Sequence, residues 1–407
     1  MQKLPLEGIR VADFTQARGG SHFTEWLGIM GAEVIKIETK TRPDLFRIAL
    51  VPGRPDLSEG LNQSNAFAAF NFGKKSINLN MTKPKAQELA KKLVKECDIV
   101  ADNFGGPVME RWGLGYSGLK ELKPDVIAIS LSGWGKAGPY PDRPAYAPII
   151  DAFSGFLFAN GHIGSPPRIV GSIGWCDSVS AEYGVFAVMA ALYHRSKTGE
   201  GQYIDISMIE ASIASAPELA LNYTINQKVM ERVGNRDEIM APHGCYRCKG
   251  DDKWVAIAVS SDAEWFALCD VMGNPEWTRR EEFSDALSRW KNQDELDRLI
   301  GEWTVNYTHH EVMEMLQGAG VMAGASIDIE EMATDPQLKA RGVLVEMEHP
   351  VMKKIVRIGM PFKLSESPRG NYLPAPLIGE HNDQVFGELL GLPIDEIRQL
   401  EEEQVIY

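Results

Sequence analysis

Ile9-Arg-Val-Ala-Asp-Phe14, then an apolar helical stretch from Thr24 to Met30 stopped at Gly31, then Glu33-Val-Ile-Lys-Ile-Glu38: these three segments follow one another near the start of the chain. The first and third are short, rich in β-branched residues and bounded by turn residues, which is strand text. A helix between two such strands is the unit of a parallel crossover. The pattern continues outward. Lys85–Cys97 carries Leu89, Leu93 and Val94 at helical spacing, Asp98–Asp102 reads as a strand, Pro107–Trp112 as a helix and Val126–Leu131 as another strand. Strands alternating with helices predict an α/β fold with a mostly parallel sheet covered on both faces. A long helix is expected over 178–195, followed by a Gly-rich turn at 199–201 leading into a strand.

The text changes at about residue 225. A hairpin is expected over Cys245–Val259, turning at Gly250-Asp-Asp, followed by amphipathic helices. Thr308-His-His-Glu311 matches a capping box, in which the N-cap hydroxyl and the N3 carboxylate each satisfy an orphan backbone donor. From about 340, strand-like segments return (Val343–Met347, Val356–Gly359), then a Pro-rich loop and a last helix. The expected partition is therefore a large domain over 1–224, a smaller α+β domain over 225–330, and a segment 331–407 returning to the first.

Composition bounds the function. The 407 residues include 44% hydrophobic and 24% charged residues, with 42 Lys plus Arg against 56 Asp plus Glu, a net charge of −14. That balance disfavours nucleic acid and anionic membranes as partners. The longest apolar run, Val185–Tyr193, is about half a membrane span, and the first residues lack the apolar core of a secretory signal. Five cysteines, an odd and sparse number, argue against a disulfide framework. A cytoplasmic enzyme is the expectation.

Several motifs invite chemical readings. Gly113-Leu-Gly-Tyr-Ser-Gly118 and Gly133-Trp-Gly-Lys-Ala-Gly138 fit the dinucleotide fingerprint by spacing. The first follows a helix rather than a strand, and prolines crowd the second where a helix should open. Cys245-Tyr-Arg-Cys248 lacks the second ligand pair that zinc requires. His309-His310-Glu311 is accounted for as a helix start, so no metal site is expected. Basic residues cluster in the first domain (Arg18, Lys36, Lys40, Arg42, Lys74, Lys75, Lys83, Arg111), several just after predicted strands, where a polyphosphate would bind; a solvated rim is the plainer alternative. Asp177, in Gly174-Trp-Cys-Asp-Ser-Val-Ser180, stands before a long apolar helix. It reads either as an N-cap or as a carboxylate nucleophile at a helix N-terminus.

Taken in order, Leu6-Glu-Gly-Ile-Arg-Val-Ala-Asp-Phe14, Gly31-Ala-Glu-Val-Ile-Lys-Ile-Glu38, Asn71-Phe-Gly-Lys-Lys-Ser-Ile-Asn-Leu79, Asp102-Asn-Phe-Gly105, Arg111-Trp-Gly-Leu-Gly-Tyr116, Gly133-Trp-Gly135, Lys197-Thr-Gly-Glu-Gly-Gln202 and Pro376-Leu-Ile-Gly-Glu-His381 resemble the class III coenzyme A transferases of CaiB/BaiF type. The family includes formyl-CoA, carnitine and benzylsuccinate CoA-transferases. The resemblance implies a Rossmann-like large domain, a smaller domain, and two chains threaded through one another as interlocked rings, either as a homodimer or with a paralogous subunit. It implies coenzyme A and acyl-CoA as substrates, with no permanently bound cofactor. The family's nucleophile falls on Asp177, and its CoA-binding positions fall on Ala17, Arg18, Leu79, Lys83, Asn103, Phe104, Arg111, Tyr146 and Met208, with Lys40 and Arg42 beside a phosphate position. The sequence departs from the formyl-CoA enzyme at Arg18, Thr39 and Pro144 and in the short Met240–Cys245 loop, which argues against formate or oxalate. An α-methylacyl-CoA racemase is the alternative within the fold; its histidine position reads Tyr146, which offers no imidazole base. A less active partner subunit of a heteromeric transferase is a further alternative.

Overall fold

The computed structural model describes residues 3–48, 60–169 and 174–407. Six parallel strands form the central sheet: β1 (Arg10–Asp13), β2 (Glu33–Glu38), β3 (Lys75–Asn78), β4 (Ile99–Asp102), β5 (Ile127–Ser132) and β6 (Tyr203–Ser207), in the order β3-β2-β1-β4-β5-β6. The order reverses between β1 and β4, where Val11 is in register with Ile99 and Val34 on its two sides. In an open parallel sheet, the loops leaving the carboxyl ends of the two strands at such a reversal part and leave a crevice.

The period-two alternation of each strand sorts side chains between two cores. Val11, Val34, Ile99 and Ile127 face helices α1 (Gly19–Ile29) and α5 (Trp175–Thr198). Ala12, Ile35, Val100 and Ala128 face helix α2 (Pro84–Lys95) and the C-terminal helix α12 (Ile394–Glu402). Strands covered on both faces are mostly apolar, and the exceptions here, Asp13 on β1 and Lys36 and Glu38 on β2, are buried charges. Helices α3 (Tyr116–Leu122), α4 (Ala147–Phe153), α6 (Met208–Ala214) and α7 (Pro217–Asn226) complete this half of the molecule.

The chain divides into two compact units, one of residues 1–157, 169–229 and 342–407, the other of 158–168 and 230–341. Segment 158–168, which the sequence places in the first domain, thus packs with the second unit. That unit holds an antiparallel sheet of β7 (His243–Arg247), β8 (Trp254–Ala258) and β9 (Met322–Ser326). Its core is built on Trp265, Leu268, Leu296 and Leu316 from helices α8 (Asp262–Val271), α9 (Gln293–Thr304) and α10 (His309–Gly318), and helix α11 (Ile329–Thr334) follows β9. Cys245 is exposed and Cys248 buried, as strand cysteines three apart should be, and all five thiols are free.

Returning to the first unit, β10 (Leu344–His349) and β11 (Lys353–Ile358) pair antiparallel. The chain then runs along β3, the edge of the large sheet. The Ser76 N–H donates to His381 Nδ1 (3.2 Å), the Asn78 N–H to Asn382 Oδ1 (2.9 Å), and the His381 N–H to the Ser76 carbonyl (2.9 Å). Gly379 has φ +71°, and a Cβ there would stand 2.3 Å from Asn78 Nδ2, so only glycine admits this approach. Unpaired strand edges template unwanted pairing; here side chains cover the edge.

Candidate active site

The switch-point crevice is built by the turn from β1 to α1. Asn103, just after β4, ties the two loops: its Oδ1 accepts from the Gln16 N–H (2.8 Å) and its Nδ2 donates to the Gln16 carbonyl (2.7 Å). Ala17 is held at φ +55°, a left-handed conformation costly for a residue with a Cβ. Its N–H donates to Asp44 Oδ1 at 3.0 Å. Arg18 is the N-cap of α1, and Gly19-Gly20 open the helix.

Beneath this turn lies a buried ionic network. Lys74 Nζ is 3.1 Å from Asp13 Oδ2 and donates to the Ser21 carbonyl, Thr24 Oγ1 and Asn71 Oδ1. Lys36 Nζ is 3.2 Å from Asp44 Oδ2 and donates to the Thr15 carbonyl. These cations hold Asp13 and Asp44, which in turn hold the turn's backbone. Neither alternative for Lys36 and Lys74, a phosphate-binding rim or a solvated one, describes them: both are buried and spent on internal carboxylates.

Asp177 enters the crevice from α5, whose N-cap is Gly174. It occupies the third position of the helix, so the capping alternative does not describe it; at that helix start the Cys176 thiol donates to the Ala147 carbonyl (3.8 Å), and Asp151 Oδ1, from α4, is buried nearby without a hydrogen-bond partner. The Asp177 carboxylate reaches across to Gly19 at the start of α1, whose N–H favours its ionised form. A Cβ on Gly19 would stand 3.0 Å from Asp177 Oδ1, and one on Gly174 would stand 2.1 Å from Oδ2. Two helix N-termini therefore converge on one carboxylate, and glycines make the space. Burial raises its pKa to about 6, against the opposing pull of Arg18 and the Gly19 N–H, and Asp151 adds to the rise. The neighbouring Cys176 thiol is pushed far up by burial and by Asp177, so it stays protonated.

Arg18 stands beside the carboxylate. Its Nη2 donates to Ser178 Oγ (2.9 Å), its guanidinium lies 5.1 Å from the Phe70 ring centre, and its Nε is buried without a hydrogen-bond partner. A buried charged donor with spare capacity suits an anionic ligand.

The sequence-derived positions divide into groups. Ala17, Arg18, Asn103, Asp177 and Met208 come together: a Cβ on Gly19 would lie 3.3 Å from Met208 Cε as well as against Asp177. Phe104 follows Asn103 and packs edge-on against Trp112. Tyr146, 65% exposed, is the N-cap of α4; the next residue, Ala147, abuts Gly174. Lys40, Arg42, Leu79 and Lys83 lie past the ends of β2 and β3. There Lys83 Nζ is engaged by the Glu403 carbonyl, Lys40 approaches the Tyr407 ring at 5.8 Å, and Leu79 is buried in the core. Arg42 and Arg111 are exposed. Sequence reasoning missed Gly19, Gly174 and Asp151. The Gly19-Gly20 doublet after the first strand was the available signal; the two glycine fingerprints elsewhere drew the reading away from it.

Comparison with known proteins agrees with this architecture. The family model described as "CoA-transferase family III" matches residues 6–382. The chain is 32% identical over 403 residues to a succinyl-CoA–D-citramalate CoA-transferase of Chloroflexus aurantiacus, covering 99% of this chain and 98% of that protein. It is 32% identical over 406 residues to the beta subunit of a succinyl-CoA–L-malate CoA-transferase of the same organism, again covering 99% and 98%. Among solved structures, a CaiB/BaiF family protein from Brucella suis superposes with a TM-score of 0.86 at 28% identity, covering 95% of this chain and 100% of that one. With its motifs, its fold and this alignment from end to end, the chain belongs to CoA-transferase family III.

Proposed function

We propose that this enzyme moves coenzyme A from an acyl-CoA donor to a free carboxylic acid, with Asp177 as the covalent carrier. The carboxylate at the convergence of two helix N-termini carries the reading. Ionised Asp177 attacks the donor thioester carbonyl; the C–S bond breaks, leaving an aspartyl–acyl anhydride and CoA thiolate. The thiolate attacks the aspartyl carbonyl, the donor acid leaves as carboxylate, and an aspartyl-CoA thioester remains. The acceptor carboxylate then attacks that thioester, and the released thiolate attacks the acceptor's carbonyl, regenerating Asp177. No water is consumed, and the thioester's free energy is conserved through each exchange. The Gly19 N–H and the helix ends supply donors to the oxyanions that form.

Succinyl-CoA is the donor to try first, because it is named in both Chloroflexus relatives. The two-chain arrangement is supported by apolar side chains left open on the first unit: Phe186 (73% exposed) and Tyr193 (68%) on α5, and Ile225 (72%) on α7. Native mass of the chain expressed alone, read with its activity, separates a self-sufficient homodimer from one subunit of a heteromer. The mechanism is tested by incubating enzyme, succinyl-CoA and hydroxylamine. Mass spectrometry should find a hydroxamate on Asp177, and Asp177→Ala should bind CoA without turnover or label. Turnover retained by that variant would falsify the covalent role.

A further inference from the structure

The second unit contains a cluster that the transfer chemistry leaves unused. Thr308 and Glu311 do form the capping box of α10, and this accounts for those two residues. It leaves His309 and His310 unexplained. Their rings, with centres 4.4 Å apart, converge on Glu331 of α11. His309 Nε2 stands 2.9 Å and His310 Nε2 3.5 Å from the same oxygen, Oε1. His309 is only 4% exposed, yet neither of its ring nitrogens has a hydrogen-bond partner. Its approach to Glu331 therefore lacks the alignment of a hydrogen bond, and buried polar atoms are seldom left so.

Glu331 is oriented by what its other oxygen does. Oε2 accepts from Lys253 Nζ (2.8 Å) and from the Asp328 N–H (3.0 Å), which turns Oε1 toward the histidines. Asp328, Glu331 and Lys253 sum to one negative charge, favourable to a cation. All three candidate ligand atoms lie within 4.8 Å of one another. In a tetrahedral site with metal–ligand bonds of about 2.0–2.1 Å, ligand atoms stand about 3.3 Å apart. The two distances to Oε1 straddle that value.

We propose that His309, His310 and Glu331 bind a divalent transition-metal ion of the zinc class, with water in the fourth position. Two imidazoles and a carboxylate suit such an ion better than magnesium or calcium, which prefer oxygen alone. The ion would join the start of α10 to α11 across the intervening strand, with Lys253 and Asp328 fixing the carboxylate as outer partners. The sequence reading passed over this site because it looked to Glu311 for the carboxylate, whereas the fold supplies it from Glu331.

The test uses the tag-free full-length chain, stripped with a chelator. Cobalt(II) titration should give the visible absorption of a tetrahedral centre, saturating at one equivalent and displaced by zinc; zinc should raise the melting temperature. His310→Ala, at a half-exposed ring, and Glu331→Gln should each weaken zinc binding by about 100-fold or more, beyond what outer-partner changes usually cost. Circular dichroism of both variants should match the parent's. Absence of stoichiometric binding to the parent, or unchanged affinity in both variants, overturns the site and leaves a plain histidine–glutamate contact in its place.

Discussion

At the scale of the residue, Asp177 is held in a compromise. Burial favours its protonated form, while Arg18 and the Gly19 N–H favour the ionised one, and the balance sits at about 6. In the proposed mechanism only the ionised carboxylate attacks, so kcat/KM for the acyl-CoA donor should rise with pH through about 6 and level off above it. A flat profile across that range would show that another group limits the reaction. The same shift carries a sign for stability. The folded state binds the extra proton between the ordinary value of 3.8 and about 6, so stability falls as pH rises through that window, and the cost is complete above it. Asp177→Asn should therefore be inactive and yet more stable than the parent at pH 7.5, by ~1–3 kcal/mol in urea denaturation. The sequence pointed to Asp177 through its place before an apolar helix and through the family motifs. Its electrostatic setting was not legible, because Gly19 and Asp151 are distant in sequence and meet it only when α1, α4 and α5 assemble.

At the scale of the element, the site depends on how closely α1 and α5 approach. Gly184 provides the contact: a Cβ there would stand 3.0 Å from the Phe23 ring, which is itself locked in the core. Gly184→Val should wedge the helices apart, costing ~1–3 kcal/mol. It should also lower turnover by an order of magnitude or more, since the Gly19 N–H moves with α1. A variant destabilised by that amount but fully active would show that the donor and the carboxylate are positioned independently of this contact. The strands that flank the crevice were readable because they are apolar and end in turn residues. Two strands escaped notice for physical reasons. β3 is Lys-Ser-Ile-Asn, three polar residues in four, because one edge faces the returning chain. β9 is Met-Ala-Gly-Ala-Ser, whose small side chains carry little strand signature. Helix α1 begins at Gly19, earlier than its apolar text, because glycines are poor helix formers; here close packing requires them.

At the scale of the whole molecule, the large unit is organised around charges inside its sheet. Asp13, Lys36, Asp44 and Lys74 are all buried, and Glu38 grips Arg47 through two hydrogen bonds of 2.7 and 2.8 Å. Burial draws the Lys74 pKa down to about 8 against the pull of Asp13. Lys74→Met removes one partner and leaves Asp13 with less compensation, so unfolding free energy should drop by ~3–5 kcal/mol. Equilibrium denaturation at neutral pH measures it; a loss below 1 kcal/mol would mean that Lys36, Thr15 and Thr24 suffice for Asp13. The basic cluster was visible in the sequence, but its division into buried struts and exposed cations required the fold. No helix among the described residues is long and apolar enough to cross a membrane.

The strip of residues 379–382 along β3 has a consequence for biosynthesis. While the ribosome is still making the second unit, the amides of Ser76 and Asn78 have no acceptors, and the parallel sheet stands with one flank open. That flank closes only after almost the entire polypeptide has left the exit tunnel. Messages truncated before codon 379 should thus yield chains prone to self-association, and the interval before release is when a holdase chaperone has most to protect.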